Sequence, residues 1–186
     1  MSAAKLVYGV TMSLDGVIAG PGGDMGWLTP HIGPNPAVPA FIAEVGALLV
    51  GHRTFLGDDP HKSDAERAGK PFGGGWEGLQ VVLTHHPEQH TEPLPDVEFL
   101  GDLDAAIDRA QEAAGEGRVV NVLGAQTARA CLDAGRLDEL LVFVAPVLLG
   151  DGTRLFERPG GADVRLERIA VDDRAERATM IRFRVL

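Results

Sequence analysis

Cys131 is the only cysteine in the chain, so no intrachain disulfide can form. Its place on the apolar stripe of a predicted helix makes it a small core residue rather than a nucleophile. Positive charge is also scarce. Seventeen basic against 27 acidic residues leave a net charge of -10, and the resulting field repels nucleic acid and anionic membrane. A phosphorylated ligand therefore needs a local cluster of positive groups. The longest unbroken apolar run, residues 140–149, contains Pro146 and is too short to cross a bilayer. The N-terminus lacks the layout of a signal peptide, which leads us to expect a cytoplasmic protein. No repeat of fixed period is present. No G-x-G-x-x-G follows a strand, and G-K-[ST] and G-x-S-x-G are both missing. These absences argue against a Rossmann dinucleotide domain, a P-loop NTPase and a nucleophile elbow. His85, His86 and His90 lie close together, but Pro87 breaks any helix that would align His86 with His90. No Cys or carboxylate pair completes a ligand set, so no metal is expected.

Against these absences stand 24 glycines and 12 prolines, which demand many sharply shaped loops. A chain of 186 residues fits one domain, long enough to remove roughly 70% of its unfolded surface from water. Residues 119–123 are too continuously apolar for a strand with one wet face, so they predict a buried central strand that breaks at Gly124. A helix over residues 126–134 follows, closed by Gly135, and then an apolar strand over residues 140–147. Residues 6–12 predict an N-terminal strand ending in Ser13-Leu14-Asp15-Gly16. Residues 17–26 are too rich in glycine for regular structure and are closed by Trp27. A helix is expected over residues 36–45, with Phe41, Ile42 and Val45 on one face and Pro39 in its first turn. Short strands follow at 47–50, 80–83 and 97–100. Asp102 caps a helix running to Ala114. Strands at 165–171 and 177–185 complete the chain, the last with one wet face carrying Met180, Arg182 and Arg184, and antiparallel.

Three strand ends deliver polar groups. Gly51 is followed by His52, Arg53 and Thr54, a set suited to phosphate unless the turn is merely solvated. Leu83 is followed by Thr84 and His85. Gly124 opens a helix whose free N–H groups and positive dipole end suit an anion. If these strands are parallel, the three ends converge on one edge of the sheet.

The order L-V-Y-G-V-T-M-S-L-D-G-V-I-A-G, G-W, L-L-V-G-H-R-T-F, V-V-L-T-H-H-P, V-V-N-V-L-G-A-Q-T and L-D-E-L-L-V-F-V-A-P-V-L-L-G-D-G-T-R-L-F resembles the dihydrofolate reductase superfamily. Within it, the chain is most similar to the reductase domain of the riboflavin-biosynthesis deaminase-reductase and its stand-alone relatives. The resemblance covers nearly the whole chain. It implies a single three-layer α/β domain over residues 1–186, with a central, mostly parallel sheet of about eight strands and an antiparallel C-terminal strand. It also implies NADPH as cofactor, hydride transfer to a small heterocyclic substrate and a homodimer. By resemblance, Gly51, His52, Arg53 and Thr54 hold the cofactor's phosphates, and Leu83, Thr84 and His85 lie beside the adenosine ribose. Gly124, Ala125, Gln126 and Thr127 form the turn under the pyrophosphate. Val10, Thr11, Ile18 and Ala19 flank the nicotinamide, residues 20–27 form a lid, and Asp15, Trp27 and Phe55 face the substrate.

The chain departs from its relatives in two places. Reducers of dihydrofolate carry a carboxylate just after the lid tryptophan, whereas residues 27–43 contain no Asp or Glu. Riboflavin-pathway reductases usually show Glu-Gly-Gly where Leu123-Gly124-Ala125 stands. Asp15 is then the acid assigned to the reactive end, its alternative being an Asx turn at a strand end. The implied activity is reduction of 5-amino-6-(5-phosphoribosylamino)uracil. A pterin reductase and a non-catalytic NADP-binding module remain alternatives.

Overall fold

In the computed structural model, which describes residues 3–161 and 163–186, the chain begins with β1 (Lys5–Ser13), β2 (Val17–Ala19), α1 (Ala37–Glu44), β3 (Val45–Gly51) and α2 (His52–Phe55). It continues through β4 (Gln80–Leu83), β5 (Val97–Leu100), α3 (Leu103–Ala114), β6 (Val119–Leu123) and α4 (Ala125–Asp133). It closes with β7 (Glu139–Ala145), β8 (Thr153–Arg154), β9 (Leu166–Asp172) and β10 (Thr179–Val185). Eight strands form one sheet in the order β5-β4-β3-β6-β1-β7-β10-β9, and β2 pairs with β8 in a small second sheet. The α/β class with a central eight-stranded, mostly parallel sheet is thus as the resemblance implied. No helix among the described residues is long and apolar enough to cross a membrane.

Two compact units divide the chain. The first comprises the N-terminal residues to Tyr8, Glu44–Leu56 and Gly78–Asp138. In it β5, β4, β3, β6 and the start of β1 are all parallel to their neighbours. Leu48, Leu49, Val81, Val82, Val120 and Val122 are wholly buried, so β3, β4 and β6 read as apolar runs because neither of their faces meets water. Helix α3 starts where the Asp102 carboxylate accepts from the Ala105 N–H at 2.8 Å, and it buries Ala106, Ile107, Ala110 and Ala114. Its last turn lies directly on β3. A methyl at Gly46 would stand 2.3 Å from the Ala114 carbonyl oxygen, so only glycine allows the approach.

The second unit comprises Gly9–Ala43, Gly57–Glu77 and Glu139–Leu186. Here β10 runs antiparallel to both β7 and β9, with a register shift opposite Ile169. The face of β10 expected to be wet is not uniformly so. Arg182 is largely buried and its Nε donates to the buried Glu139 carboxylate at 2.6 Å, since a charge taken from water requires a partner.

Two further expectations are corrected. Val45 does not end a helix but opens β3, where it is fully buried, because α1 stops at Glu44. Residues 17–19 are regular after all. β8 supplies the hydrogen-bond partner that a glycine-rich stretch cannot supply for itself.

Gly46→Ala should lower the free energy of unfolding by about 1–3 kcal/mol through overpacking. Asp102→Ala should cost about 1 kcal/mol through loss of the cap. Denaturant midpoints at constant slope measure both, and an unchanged midpoint for Gly46→Ala would mean that the α3 to β3 contact is slack.

Candidate active site

Register places the polar strand ends of the first unit side by side. Val50 is level with Leu123 and Gly51 with Leu83, so the chain leaves β3, β4 and β6 at neighbouring points. Gly51 precedes α2 and Gly124 precedes α4, and neither helix start carries a side-chain cap. The φ of 100° at Gly124 disfavours any residue with a side chain. Each turn also lies under the other's threonine. A methyl at Gly51 would stand 2.5 Å from Thr127 Oγ1, and one at Gly124 would stand 2.5 Å from Thr54 Oγ1. The two turns therefore share the form G-x-x-T, in Gly51-His52-Arg53-Thr54 and Gly124-Ala125-Gln126-Thr127. Reading each turn separately missed this pairing, although the signal stood in the sequence.

Arg53, Thr54, His85 and Gln126 are exposed, whereas Thr84 and Thr127 are buried. Thr84 Oγ1 accepts from the His86 N–H at 3.3 Å and so shapes its own turn. His52 is not a merely solvated residue. Its ring lies 5.0 Å edge-on from His90, which stacks on Phe99 at 3.8 Å, and its buried Nε2 has no hydrogen-bond partner. A buried polar atom left unpaired costs about 1–3 kcal/mol, a penalty that a ligand atom can relieve. Phe55, expected against the substrate, meets Phe99 edge-on at 5.6 Å in this same aromatic group. Uncapped helix starts, an exposed guanidinium and an orphaned imidazole nitrogen together suit a polyanionic ligand.

In the second unit Asp15 has both oxygens engaged. Ser13 Oγ donates to Oδ1 at 2.6 Å, the Leu149 N–H donates to Oδ1 at 3.0 Å, and the Gly150 N–H donates to Oδ2 at 2.7 Å. The Ser13 bond first, and then the two backbone bonds, push its pKa down to about 2. At neutral pH the carboxylate is therefore an acceptor already in use. Ser13 Oγ in turn accepts from the Val17 N–H, the Leu14 N–H donates to the Val147 carbonyl, and Arg154 Nη1 donates to the Asp15 carbonyl. The S-L-D-G turn and the L-L-G-D-G-T-R stretch are thereby sewn together. Val10 and Thr11 are half-buried on β1, Ile18 is buried and Ala19 is half-buried on β2.

Trp27 lies in a 3₁₀ turn over Gly26–His31. The stretch expected to act as a lid is tied at Met25, and the turn that follows it is tied from two sides. The Met25 N–H donates to Asp58 at 3.0 Å and Thr29 Oγ1 to the Pro60 carbonyl at 3.1 Å. From the C-terminal hairpin, Arg177 Nη1 donates to the carbonyls of Pro30 at 3.1 Å and Ile32 at 2.8 Å. The indole Nε1 of Trp27 is buried without an acceptor. Among the described residues no group of three or more His, Cys, Asp or Glu could hold a metal ion.

Asp15→Asn should lower the melting temperature, because the amide NH₂ turns a donor toward one of the backbone N–H groups that the carboxylate accepted. The folded-state pKa lies below the ordinary value, so the stability contributed by Asp15 is present above about pH 4 and is lost as pH falls toward 2. Thermal melts of both proteins across that range check the sign. A variant that melts with wild type at pH 7 would refute the tether.

The model of the RibD C-terminal domain family matches residues 4–178. A protein named for riboflavin biosynthesis from Shewanella sp. PV-4 superposes with a TM-score of 0.74 at 21% identity, covering 98% of this chain and 99% of that one. The diaminohydroxyphosphoribosylaminopyrimidine deaminase/5-amino-6-(5-phosphoribosylamino)uracil reductase of Thermotoga maritima superposes at 0.67 and 18% identity, covering 99% of this chain and 57% of that one. Dihydrofolate reductase from Enterococcus faecalis, complexed with NADP(H), superposes at 0.57 and 16% identity, covering 97% and 96%. No curated protein matches by sequence. The structural likenesses establish a dihydrofolate reductase-like fold, and the match over residues 4–178 establishes that the chain belongs to the RibD C-terminal domain family.

Proposed function

We propose that this protein is an NADPH-dependent reductase that passes hydride to a nitrogen heterocycle, of the type that reduces 5-amino-6-(5-phosphoribosylamino)uracil. The observation that carries the reading is the pair of interlocked turns at Gly51 and Gly124, with helix starts uncapped and Arg53 exposed beside them. A dinucleotide has phosphates enough to use all of these donors. Thr54, Ala125, Gln126 and Thr127 take part as members of the two turns, and His52 offers its unpaired nitrogen. Leu83, Thr84 and His85 border the adenosine ribose, where a hydroxyl and imidazoles favour a 2′-phosphate and none of residues 83–86 is an Asp or Glu. Val10, Thr11, Ile18 and Ala19 meet the nicotinamide, and residues 20–27 exclude water.

When bound, the cofactor supplies the hydride, and the protein supplies position and shelter. The Trp27 indole N–H, buried without an acceptor, is a donor reserved for a substrate oxygen or nitrogen. Asp15 holds the loop at Leu149 and Gly150, and it serves as a proton relay only by giving up one of those bonds. With no acid in residues 27–43, a pterin substrate lacks its usual partner. The proposal also carries a single domain, a homodimer and a cytoplasmic location, on family grounds.

NADPH should bind more tightly than NADH, and Arg53→Ala should weaken NADPH binding by about 1.5–3 kcal/mol through loss of a charge-assisted contact. Titration of both cofactors into both proteins tests this. Equal affinities in wild type would remove the 2′-phosphate assignment, and an unchanged dissociation constant in the variant would return Arg53 to a solvated turn. Absorbance at 340 nm against pyrimidines of the flavin pathway and pterins distinguishes the substrates.

A further inference from the structure

The segment that carries Trp27 has little means of fastening itself. Residues 27–43 contain no Lys, Arg, Asp or Glu. Pro30, Pro34, Pro36 and Pro39 each lack an N–H, so the segment has more carbonyls than donors to meet them. Its one regular piece before α1 is the 3₁₀ turn over Gly26–His31, with Pro30 inside it, and helices of this kind are short and poorly bonded. Where that turn stands is therefore decided by what reaches it from outside, and donors are what it needs.

Arginine is the side chain best suited to that need, with five N–H donors and no acceptor. Arg177 supplies them from the turn between β9 and β10, its Nη1 donating to the carbonyls of Pro30 at 3.1 Å and Ile32 at 2.8 Å. These carbonyls lie in the last residues of the 3₁₀ turn and at its C-cap, the end of a helix that favours a cation. The stem of the arginine lies close along the same chain. A methyl at Gly33 would stand 3.0 Å from Arg177 Cδ and 3.2 Å from its Nε, so the lack of a side chain there lets the guanidinium in. The next residue of the hairpin repeats the link. The Ala178 carbonyl accepts from Asn35 Nδ2 at 3.3 Å, while Asn35 Oδ1 accepts from the Ala37 N–H at the start of α1. Arg174, in the same hairpin, pairs instead with Asp172 and holds its own turn.

Within the held turn the Trp27 indole Nε1 is buried with no acceptor. Such a donor serves only if a substrate atom arrives at the right point, and an error of about 1 Å can cost on the order of 100-fold. We propose that Arg177 is a positioning residue: by holding the carbonyls of Pro30 and Ile32 it fixes the 3₁₀ turn, and with it the point at which the Trp27 indole N–H meets substrate. The part concerning substrate rests on the reductase reading above, whereas the hold on Trp27 stands on its own geometry.

The test compares Arg177→Ala and Arg177→Lys with wild type. The chain's two tryptophans give two indole N–H resonances in a proton–nitrogen correlation spectrum, and Trp27→Phe identifies the one from Trp27. Arg177→Ala should shift the Trp27 resonance and speed its exchange with solvent while that of Trp76 stays in place. Arg177→Lys should restore part of the shift, since an ammonium donates to a carbonyl but lacks the fork. In turnover of 5-amino-6-(5-phosphoribosylamino)uracil, the substrate KM should rise about tenfold in Arg177→Ala with the NADPH dissociation constant unchanged. A lower melting temperature with the Trp27 resonance unmoved and the substrate KM at its wild-type value would make Arg177 a structural tie only and overturn the proposal. Equal losses of substrate and NADPH affinity would overturn it too, as general loosening. If wild type oxidises no NADPH with this substrate, the reductase reading fails, and the indole resonance still decides whether Arg177 holds Trp27.

Discussion

Two glycines lying under each other's threonines fix the geometry from which the proposed cofactor site follows. Strands β3 and β6 pair in a register that brings Gly51 and Gly124 level, and each is followed three residues later by a threonine that covers the other's Cα. A side chain on either glycine would push the opposing hydroxyl away and tilt the helix start that carries it. Because the residue at each helix start is a glycine, no side chain caps it, and the first N–H groups of α4 keep their demand for an acceptor.

Many of the carboxylates behind the net charge of -10 also accept hydrogen bonds from the chain's own amides. Asp15 accepts from Leu149 and Gly150, Asp58 from Met25, Asp59 from His61 and Gly69, Asp102 from Ala105, and Asp138 from Leu6 at 2.8 Å. Each such bond holds a loop or a helix end by the chain's own amides. Exposed pairs such as Arg136 with Asp104 and Asp108 contribute little by comparison, at most about 1 kcal/mol each. Cys131 is fully buried, and burial pushes its thiol up to about 12, which leaves it without reactive character.

The second unit uses a different device from the first. There, no long parallel register aligns the functional turns. The S-L-D-G turn is held by loop 147–155, and the Trp27 turn by Arg177 on one side and the 57–60 loop on the other. Gly152, at φ 129°, sits where a methyl would fall 2.1 Å from the Ala19 carbonyl, so the β2 to β8 ladder closes only over glycine. Residues that looked like free loop in sequence are thereby held by partners between 31 and 145 positions away.

Local chemistry was sufficient to read much of the chain. The apolar runs of β3, β4 and β6, the Asp102 cap, the glycine after each of α3 and α4, and the polar groups after three strands all follow from residue type and order, since burial on both faces and capping leave local marks. The class of fold was legible through the resemblance that these ordered motifs carry to a known superfamily. What tertiary structure decided were the partners of groups that satisfy themselves only at long range. Asp15 in the sequence is equally an acid or a turn former, and only the arrival of Leu149 and Gly150 determines which protons it accepts. Val17–Ala19 becomes a strand because β8 reaches it, Arg182 is drawn inward by Glu139, and Phe55 turns to Phe99. No window of sequence contains both members of these pairs, so the free energy that selects one conformation over another appears only when the chain has brought them together.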